Sequence, residues 1–295
     1  MALARTRRRK SPWLSYILVI AGGGVMVVPF INIVSVSFMG SGEAGLLPFH
    51  FFPEHFTWDN YVAAFEQLGL ARLFRTSSIV TIVVTFSVLL TSSMAGYALA
   101  KLHFRGRDVI FRFILATMML PTFLLLIPDY LIMVNWPLVG GNNIFGQGGD
   151  GGMVTNIGSL MIPFLVSGFG IFLMRQFMMG VPDEMLEAAR LDGANEWQLW
   201  FRIVLPQAVP VAITLGLITF VGIWNDYIWA TVIASANPDL MTLPVGIQLL
   251  QSSLDPNRTL PIVMSGIVIS TIPVLIIFLI FQKYYVRGVV LSGMK

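Results

Sequence analysis

The sequence predicts an all-α integral membrane protein with six transmembrane helices and a polar insert between the fourth and the fifth. Hydrophobic residues make up 56% of the chain and charged residues only 11%, whereas a soluble domain carries about a quarter charged residues. A membrane-spanning helix needs about 20 mostly apolar residues. The apolar segments of sufficient length cover residues 13–38, 76–100, 109–134, 157–179, 208–234 and 260–282.

Basic residues predict the orientation of these spans. Only Arg72, Arg75 and Arg258 of the 18 Lys and Arg residues fall on one side of a six-span arrangement. By the positive-inside rule, the side that holds the others is cytoplasmic. The prediction is a basic cytoplasmic N-terminus, a six-span transmembrane domain, a cytoplasmic insert within that domain and a cytoplasmic tail. These segments are residues 1–12, 13–282, 180–207 and 283–295.

A basic start followed by an apolar segment is also typical of a secretory signal peptide. Residues 13–38 are longer than the usual apolar region of about 7–15 residues, and no small-x-small cleavage site follows. We therefore expect a retained first span. The arginine-rich start next to a span favours a topology signal over a nucleic-acid-binding arm, so no nucleic acid partner is expected.

The sequence disfavours several kinds of chemistry. It has no cysteine and only three histidines, His50, His55 and His103, so neither disulfides nor a metal site are expected. It contains no phosphate-binding loop of the Walker type, so we expect no nucleotide hydrolysis and no catalytic residue in this chain. Asp129 and Asp226 fall near the outer ends of their spans, away from the midplane where a proton relay would need them.

The segments outside the membrane differ in composition. Residues 39–73 contain two prolines and the sequence Trp58-Asp59-Asn60-Tyr61, which predicts a short cap with one helix near 58–68. Residues 135–156 contain seven glycines within 140–152. The regular aspartate spacing of a calcium-binding loop is missing, so a flexible surface loop is expected there.

The insert has the sequence pattern of two short helices. Pro182-Asp183-Glu184 is a favourable helix start, and Met185 to Leu191 forms about two turns. Gly193 follows where a helix commonly ends in the left-handed conformation. Asn195 and Gln198 have the spacing of a capping box for a second helix.

Apolar residues of the second predicted helix recur every three or four positions, which indicates one apolar stripe against the membrane face. The stripe comprises Trp197, Trp200, Phe201 and Val204. In the first helix, Ala188 and Ala189 leave one surface without large side chains, so the backbone of a partner protein can approach closely. Glu187 beside them offers a carboxylate to a basic residue. The alternative is a solvated amphipathic loop without a partner.

The order Glu187-Ala188-Ala189, Gly193, Ile203 and Leu205-Pro206 resembles the EAA signature of binding-protein-dependent ABC importer permeases at the family spacing. Several flanking segments are similar to the carbohydrate-uptake, MalG-like subfamily. These are Phe172 to Phe177, Trp224-Asn225-Asp226-Tyr227, Thr242-Leu243-Pro244-Val245-Gly246 and Arg287-Gly288. The glycine-rich loop is longer than in that subfamily, and the C-terminal end matches it only loosely.

The resemblance implies the type I ABC importer permease fold and a transport role in a prokaryotic plasma membrane. The chain would pair with a second permease subunit, most simply as a heterodimer, and sit on two cytoplasmic ATPase subunits. Those subunits would bind ATP and Mg²⁺, while this chain binds no cofactor. An extracytoplasmic solute-binding protein would deliver a sugar or oligosaccharide.

The resemblance also assigns candidate site residues. Contact with the ATPase is implied for the signature and Asp192, that is for Glu187, Ala188, Ala189, Asp192, Gly193, Ile203, Leu205 and Pro206. The translocation pathway is implied for Trp224, Asn225, Asp226 and Tyr227, which would line it or brace it. Trp229 beside them would either contact a sugar or belong to an aromatic belt at the membrane interface. Contact with the binding protein is implied for an outer loop containing Leu243, Pro244, Val245 and Gly246.

Other functional classes stay open on the residues alone. An ion-coupled secondary transporter or channel acting without an ATPase would need ionisable groups at the midplane and inverted repeats. A membrane-embedded enzyme would need clustered acidic, histidine or serine side chains near one face of the spans. A structural anchor for a complex would need neither. The sequence does not identify the solute.

Overall fold

A computed structural model describes residues 12–40, 42–45, 50–67, 69–252 and 256–292. Side chains from residue 284 onward are not described. The predicted basic segment 1–12 therefore lies almost entirely outside the described residues, as do most side chains of the predicted tail 283–295. Within the described ranges the protein is helical and contains no strand, as the sequence predicts.

The helices are numbered here in chain order. They are α1 Pro12–Ser37, α2 Asp59–Gln67, α3 Leu70–Lys101, α4 Arg107–Thr117, α5 Thr122–Val134, α6 Gly158–Phe164, α7 Gly168–Met178, α8 Asp183–Leu191, α9 Glu196–Gln207, α10 Val209–Trp224, α11 Ile228–Ala236, α12 Leu243–Gln251 and α13 Pro256–Ser292. Short 3₁₀ segments lie at Glu43–Gly45, Gly152–Thr155 and Pro238–Leu240.

Three helical segments are long and apolar enough to cross a membrane on their own. They are Ser15–Ser37, Leu70–Lys101 and Thr259–Lys283. Three further helix pairs qualify only if each pair is one broken span. The pairs are α4 with α5, bent by 101°, α6 with α7, bent by 42°, and α9 with α10, bent by 79°. The described structure thus offers three continuous candidate spans and up to three bent pairs, and the last pair includes α9 of the predicted insert.

Three predicted spans were wrong in their continuity. Residues 109–134 form two helices separated by a turn that ends at Pro121, whose ring cannot continue the preceding helix and disfavours a helical residue before it. The predicted span 157–179 is interrupted between Phe164 and Gly168. The predicted span 208–234 is interrupted after Trp224, and α11 begins at Ile228. Hydropathy measures the apolar length of a segment and carries no information about its direction, so none of these breaks could be read from it.

The chain divides into two compact units. The first comprises residues 1–68 and 249–269. Within it, Asn60 of α2 donates from Nδ2 to the carbonyl oxygens of Ser37 and Met39 at 3.0 and 2.7 Å. Ser265 of α13 donates to the Asn60 carbonyl oxygen at 3.1 Å. The short helix predicted near 58–68 is therefore present as α2 and is held at its first turn.

The second unit comprises residues 69–248 and 270–295, and α3 is its central helix. α3 packs against α7 and α10, and small residues allow the closest approach. A Cβ atom at Gly96 would lie 2.8 Å from Met174 Cβ, and one at Gly170 would lie against Ser92 of α3. Close contacts of this kind hold helices together in a bilayer, where apolar burial alone gives little preference for one neighbour.

Gly96→Ala is expected to destabilise the second unit because the new methyl group has no space against α7. Overpacking of this kind costs about 1–3 kcal/mol. Gly216→Ala on α10 is the matched control, since its Cβ would meet Leu89 at an ordinary 3.4 Å. Thermal unfolding of the detergent-purified variants measures both changes. Equal stability of the two variants would contradict the close α3–α7 packing.

The glycine-rich loop lies on the surface, as predicted, but it is internally hydrogen-bonded and does not resemble an unstructured linker. Asn142 donates from Nδ2 to the carbonyl oxygens of Val134 and Trp136 and accepts from the Gly149 amide through Oδ1. Gly140 and other glycines of the loop have positive φ, which glycine adopts without steric cost. The glycines therefore serve a specific folded loop.

Candidate functional site

The insert begins with α8, Asp183–Leu191, at the predicted place after Pro182. Lys101, the last residue of α3, donates from Nζ to the Val181 carbonyl oxygen at 2.6 Å and to Asp183 Oδ1 at 2.7 Å. The Lys101 side chain is 4% exposed and that of Asp183 is 73% exposed. The lysine hydrogen bond and charge lower the pKa of the Asp183 carboxyl. One buried ammonium group thus connects α3 to the start of α8.

The turn between the two helices of the insert has the predicted geometry. Gly193 has a φ of 85°, and its amide donates to the Arg190 carbonyl oxygen at 3.0 Å. A Cβ at Gly193 would meet no atom within 4 Å, so the backbone conformation and not space requires the glycine. Asn195 and Gln198 form the predicted capping box, each side chain bonding the other's backbone amide.

A second polar connection joins α3 to the insert. Tyr97 Oη lies 2.6 Å from Glu196 Oε2, and Glu196 also accepts from Arg190 Nε at 3.0 Å. Arg190 is in the last turn of α8 and Glu196 in the first turn of α9. Tyr97 is one turn before Lys101 on α3. The end of α3 therefore contacts both helices of the insert.

The outward face of α8 comprises Glu184, Glu187, Ala188 and Leu191, which recur at helical spacing and are all exposed. Leu191 is 90% exposed, which is unusual for a large apolar side chain in a helix. Glu187 forms no ion pair or hydrogen bond with another described residue. Ala189 packs instead against the core, so the prediction that both alanines lie on the outward face was wrong.

Helix α9 carries the remaining predicted contact residues. Ile203 and Leu205 are partly buried against the core, while Pro206 is exposed. Asp192 and Gly193, which precede the helix, are exposed. The signature residues at the turn and most of those in α8 are thus exposed. In α9, Ile203 and Leu205 pack the insert onto the core.

The single apolar stripe predicted for α9 was wrong. Trp200 and Val204 are buried, whereas Trp197 and Phe201 are 64% and 62% exposed. Leu199–Val204 is a π-helix, in which each backbone hydrogen bond spans one residue more than in an α-helix. This wider turn rotates the following side chains around the helix axis, so the predicted stripe is divided between a buried and an exposed side. The Trp200 ring contacts both exposed rings.

The four predicted pathway residues lie at the break between α10 and α11. Asn225 and Tyr227 are exposed, and Asp226 accepts from the Ala230 amide through Oδ2 at 3.2 Å, which caps α11. Trp224 is 2% exposed and donates from Nε1 to the Ser270 carbonyl oxygen at 3.0 Å. Trp224 is therefore a core residue, placed to brace the helix break and not to contact a solute directly.

Trp229 has a similar structural role. The sequence left open whether this residue contacts a sugar or belongs to an aromatic belt at the membrane interface. It is 4% exposed and donates from Nε1 to the Ser159 carbonyl oxygen at 2.9 Å. Burial inside the helical core excludes both expectations for this chain.

The segment Leu243–Gly246 is not a loop but the first turn of α12. Leu243, Val245 and Gly246 are buried. The Leu243 amide donates to Ser77 Oγ on α3 at 2.8 Å. A Cβ at Gly246 would clash with a methyl carbon of Leu73. The family resemblance implied an outer contact loop here, but the segment packs on α3.

Arg72 and Asp239 connect the same part of α3 to the residues just before α12. Arg72 Nη1 and Asp239 Oδ1 lie 2.6 Å apart, and both side chains are largely accessible. Asp239 belongs to the exposed 3₁₀ segment Pro238–Leu240. The accessible surface of this region is therefore the 3₁₀ segment and not Leu243–Gly246.

An apolar groove of about 610 Å³ opens along α3, α9 and α10. Among the described residues that line it, only Thr85, Ser93 and Trp200 carry a hydrogen-bonding side chain. Ala212 and Gly216 lie on its wall one turn apart, a spacing common where membrane helices meet. The groove therefore suits a helix or a lipid chain and does not suit a hydroxyl-rich solute.

The acidic residues of the spans do not form a relay in the described structure. Asp129 lies within α5 and Asp226 at the break after α10. Neither forms an ion pair with another described residue. Within the described ranges no group of three or more His, Cys, Asp or Glu side chains could hold a metal ion.

Comparison with known proteins identifies the family. Residues 87–291 match the family described as "Binding-protein-dependent transport system inner membrane component". That range covers more than half of the chain and includes the whole insert. The chain belongs to this family. The permease is thus an inner-membrane component of an ABC importer, which confirms the resemblance identified from the insert.

Individual relatives cover almost the whole permease. It is 30% identical, over 98% of its length and 99% of the relative, to the arabinooligosaccharides transport system permease protein AraQ of Halalkalibacterium halodurans. It is 27% identical to the diacetylchitobiose uptake system permease protein NgcG of Streptomyces coelicolor, over 95% and 88% of the two chains.

A solved structure has the same fold. A chain of a bacterial ABC transporter involved in the import of the acidic polysaccharide alginate aligns with a TM-score of 0.76 at 24% identity. The alignment covers 97% of the permease and 100% of that chain. The predicted type I importer permease fold is therefore confirmed.

Trp224→Phe is expected to lower the stability of the permease without changing the affinity of uptake for its solute. The substitution removes the hydrogen bond from the Trp224 indole to the partly buried Ser270 carbonyl oxygen, which contributes about 0.5–1.5 kcal/mol. Trp197→Phe is the matched control, because the Trp197 ring is exposed. Thermal unfolding and the KM of uptake measure the two effects, and a raised KM for Trp224→Phe at unchanged stability would return Trp224 to the pathway.

Proposed function

We propose that this permease is one half of the translocation pathway of an ATP-driven carbohydrate importer and that its insert couples it to a separate ATPase. The outward face of α8 is the observation that supports this role most directly. It combines an unpaired carboxylate at Glu187, a small side chain at Ala188 and an exposed apolar side chain at Leu191. Such a surface is costly to leave in water and suits a cleft in a partner protein.

The proposed orientation places the insert and both termini in the cytoplasm of a prokaryotic cell. Its support is the distribution of Lys and Arg, since basic residues are retained on the cytoplasmic side. The ATPase subunits, which need ATP and Mg²⁺, would then contact α8 from the cytoplasmic side. ATP hydrolysis belongs to those subunits in this proposal, and the permease binds no cofactor.

The proposed assembly contains two permease subunits, two ATPase subunits and an extracytoplasmic solute-binding protein. The family description supports the binding protein, because it names the transport system as dependent on one. A structure with the same fold at 16% identity and a TM-score of 0.62 is an alginate transporter in complex with a periplasmic protein. The apolar groove along α3 and α10 is a suitable surface for a helix of the second permease subunit.

Carbohydrate is proposed as the solute class because the relatives transport arabinooligosaccharides and diacetylchitobiose according to their names. Asn225 and Tyr227 are the exposed polar residues at the helix break that could contact such a solute. For the binding protein, the exposed segment Pro238–Leu240 replaces the buried residues Leu243–Gly246 as the proposed contact.

The test is affinity purification of the permease from native membranes solubilised in mild detergent. We expect an ATPase subunit and a second permease to purify with it in a stable complex. An abundant, folded permease that purifies without any ATPase, and that still carries out ion-driven uptake in proteoliposomes, would favour the ion-coupled secondary transporter. An ATPase bound at a surface other than the insert would separate the importer assignment from the assigned contact.

A further inference from the structure

The glycine-rich loop presents three large apolar side chains that no part of the proposed transport function uses. Leu138, Ile144 and Phe145 are 73%, 66% and 77% exposed. We call these three residues the loop tip. They lie between α5 and the 3₁₀ segment Gly152–Thr155, close to the point where α5 ends.

The backbone is strained in order to present this tip. Leu138 has a φ of 62°, and among the described residues it is the only one besides glycine with a positive φ. A bulky residue adopts this conformation only where its surroundings require it. The Leu138 amide donates to the Asn143 carbonyl oxygen at 3.3 Å. At Gly146, a Cβ would lie within 2.0 Å of the Asn135 carbonyl oxygen.

The side chains of Asn142 and Asn143 bond several backbone groups of the loop. Asn143 Oδ1 accepts from the amides of Phe145 and Gln147 at 2.8 and 3.1 Å. The Asn143 amide donates to the Gln147 carbonyl oxygen at 2.9 Å. Asn142 bonds three further backbone groups on the other side of the loop. Irregular backbone can approach hydrocarbon only where such groups have partners.

The tip continues an exposed apolar surface near the end of α5, between Asp129 and Asp150. No charged residue occurs from Tyr130 to Gly149. The exposed side chains near the end of α5 are apolar, with Ile127, Leu131 and Ile132 at 70%, 52% and 54%. Trp136 follows them at the end of the helix, a position where aromatic residues favour the membrane–water interface.

We propose that the loop tip inserts into the bilayer at the boundary between head groups and acyl chains, next to the end of α5. A lipid surface is proposed because the three apolar side chains continue the exposed apolar face of α5 formed by Ile127, Leu131 and Ile132. The exposed polar side chains of Asn143, Gln147 and Asp150 in the same loop suit the level of the head groups. Exposed apolar side chains beside polar ones are what an interfacial membrane contact needs.

The absence of cysteine from the sequence makes the test direct. Ile144→Cys and Phe145→Cys are labelled with a nitroxide in the permease that has been purified with its co-purifying subunits and reconstituted in lipid nanodiscs. Collision rates with oxygen, which concentrates in lipid, are compared with those of a water-soluble nickel complex. Ile127→Cys on α5 is the lipid reference, and Glu66→Cys on the exposed surface of α2 is the aqueous reference.

We expect both tip labels to collide with oxygen severalfold more than with the nickel complex, as the Ile127→Cys label does. A ratio close to that of Glu66→Cys would overturn the proposal, because the tip would then lie in water. Low collision rates with both reagents, or a loss of oxygen access when the solute-binding protein is added, would also overturn it, since the tip would then contact protein.

The outcome does not depend on which solute is carried or on whether the insert contacts an ATPase. Normal uptake with tip labels in water would reject the lipid contact and leave the proposed function intact. Lipid-exposed labels in a permease that purifies without any ATPase would support the lipid contact and contradict the proposed coupling to an ATPase.

Discussion

Glu187→Lys is expected to abolish solute uptake while the permease still inserts into the membrane. Glu187 is exposed, lies on the outward face of α8 and has no partner among the described residues. In the proposed complex its carboxylate meets a basic residue of the ATPase, and loss or reversal of one charge in a desolvated pair costs about 2–5 kcal/mol. A cost of that size lowers the affinity of the ATPase by at least tenfold.

Two measurements test this expectation. Uptake of the solute by cells reports coupling, and recovery of the ATPase with the affinity-purified permease reports the contact itself. Glu66→Lys, the same substitution on the exposed surface of α2, is the control for a general effect of charge. If Glu187→Lys retains both uptake and ATPase, the outward face of α8 is not the contact.

Gly193→Pro tests the same contact through the backbone. Proline cannot adopt the φ of 85° found at Gly193, so the turn between α8 and α9 must rearrange and the outward face of α8 must tilt. We expect uptake to be lost although every side chain of that face is retained. Normal uptake would show that the orientation of α8 is unimportant for coupling.

The sequence predicted the insert closely because its signals are local. A proline and two acidic residues at a helix start, a glycine in the left-handed conformation and an Asn–Gln capping box each act through the backbone within a few residues. All of them are present in the structure at the predicted positions. Local hydrogen bonds of this type are independent of the rest of the fold, so sequence spacing is sufficient to find them.

Predictions that required knowledge of neighbouring helices were less accurate. Trp224 and Trp229 were assigned from residue type to a solute or an interface, yet both are buried and donate to carbonyl oxygens far along the chain. Leu243–Gly246 was assigned to an outer loop from the family resemblance, yet it lies in a helix and Leu73 leaves no space for a side chain at Gly246. Burial depends on tertiary packing, which neither hydropathy nor motif spacing reports.

Tyr97 and Lys101 were missed as positioning residues for a related reason. They lie at the end of a predicted span, where a tyrosine and a lysine are also common at the membrane interface. Their separation by four residues places both side chains on one face of α3, which was the available signal. Only the structure shows that this face is covered by the insert.

Lys101→Met is expected to uncouple transport from ATP hydrolysis while the ATPase remains bound. Methionine keeps most of the apolar stem of lysine but leaves the Val181 carbonyl oxygen and the Asp183 carboxylate without their donor. Hydrogen bonds to charged groups contribute about 1.5–3 kcal/mol. The start of α8 would then no longer be fixed to α3, so movement of α8 would be transmitted poorly to the spans. Tyr97→Phe removes one hydrogen bond at the other end of the insert and should give a smaller defect.

The readout that separates coupling from folding is the ATPase activity of the purified complex, measured with and without the solute-loaded binding protein. We expect the basal activity to persist in Lys101→Met and its stimulation to fall at least fivefold, consistent with a loss of about 1–3 kcal/mol. For Tyr97→Phe the control is Tyr130→Phe on α5, which loses the same phenolic hydroxyl outside the insert. Full stimulation in Lys101→Met would show that α3 does not carry the coupling.

The pH dependence of this defect follows from the lowered pKa of Asp183. A carboxyl group whose pKa is depressed in the folded protein contributes stability above its unfolded pKa, ordinarily 3.8, and loses it only as the pH falls through the folded value. Between about pH 6 and pH 8 the Asp183 carboxyl is therefore ionised. The uptake defect of Lys101→Met should be constant over that range, and a defect that disappears toward pH 6 would show that a different group, titrating near neutrality, connects α3 to the insert.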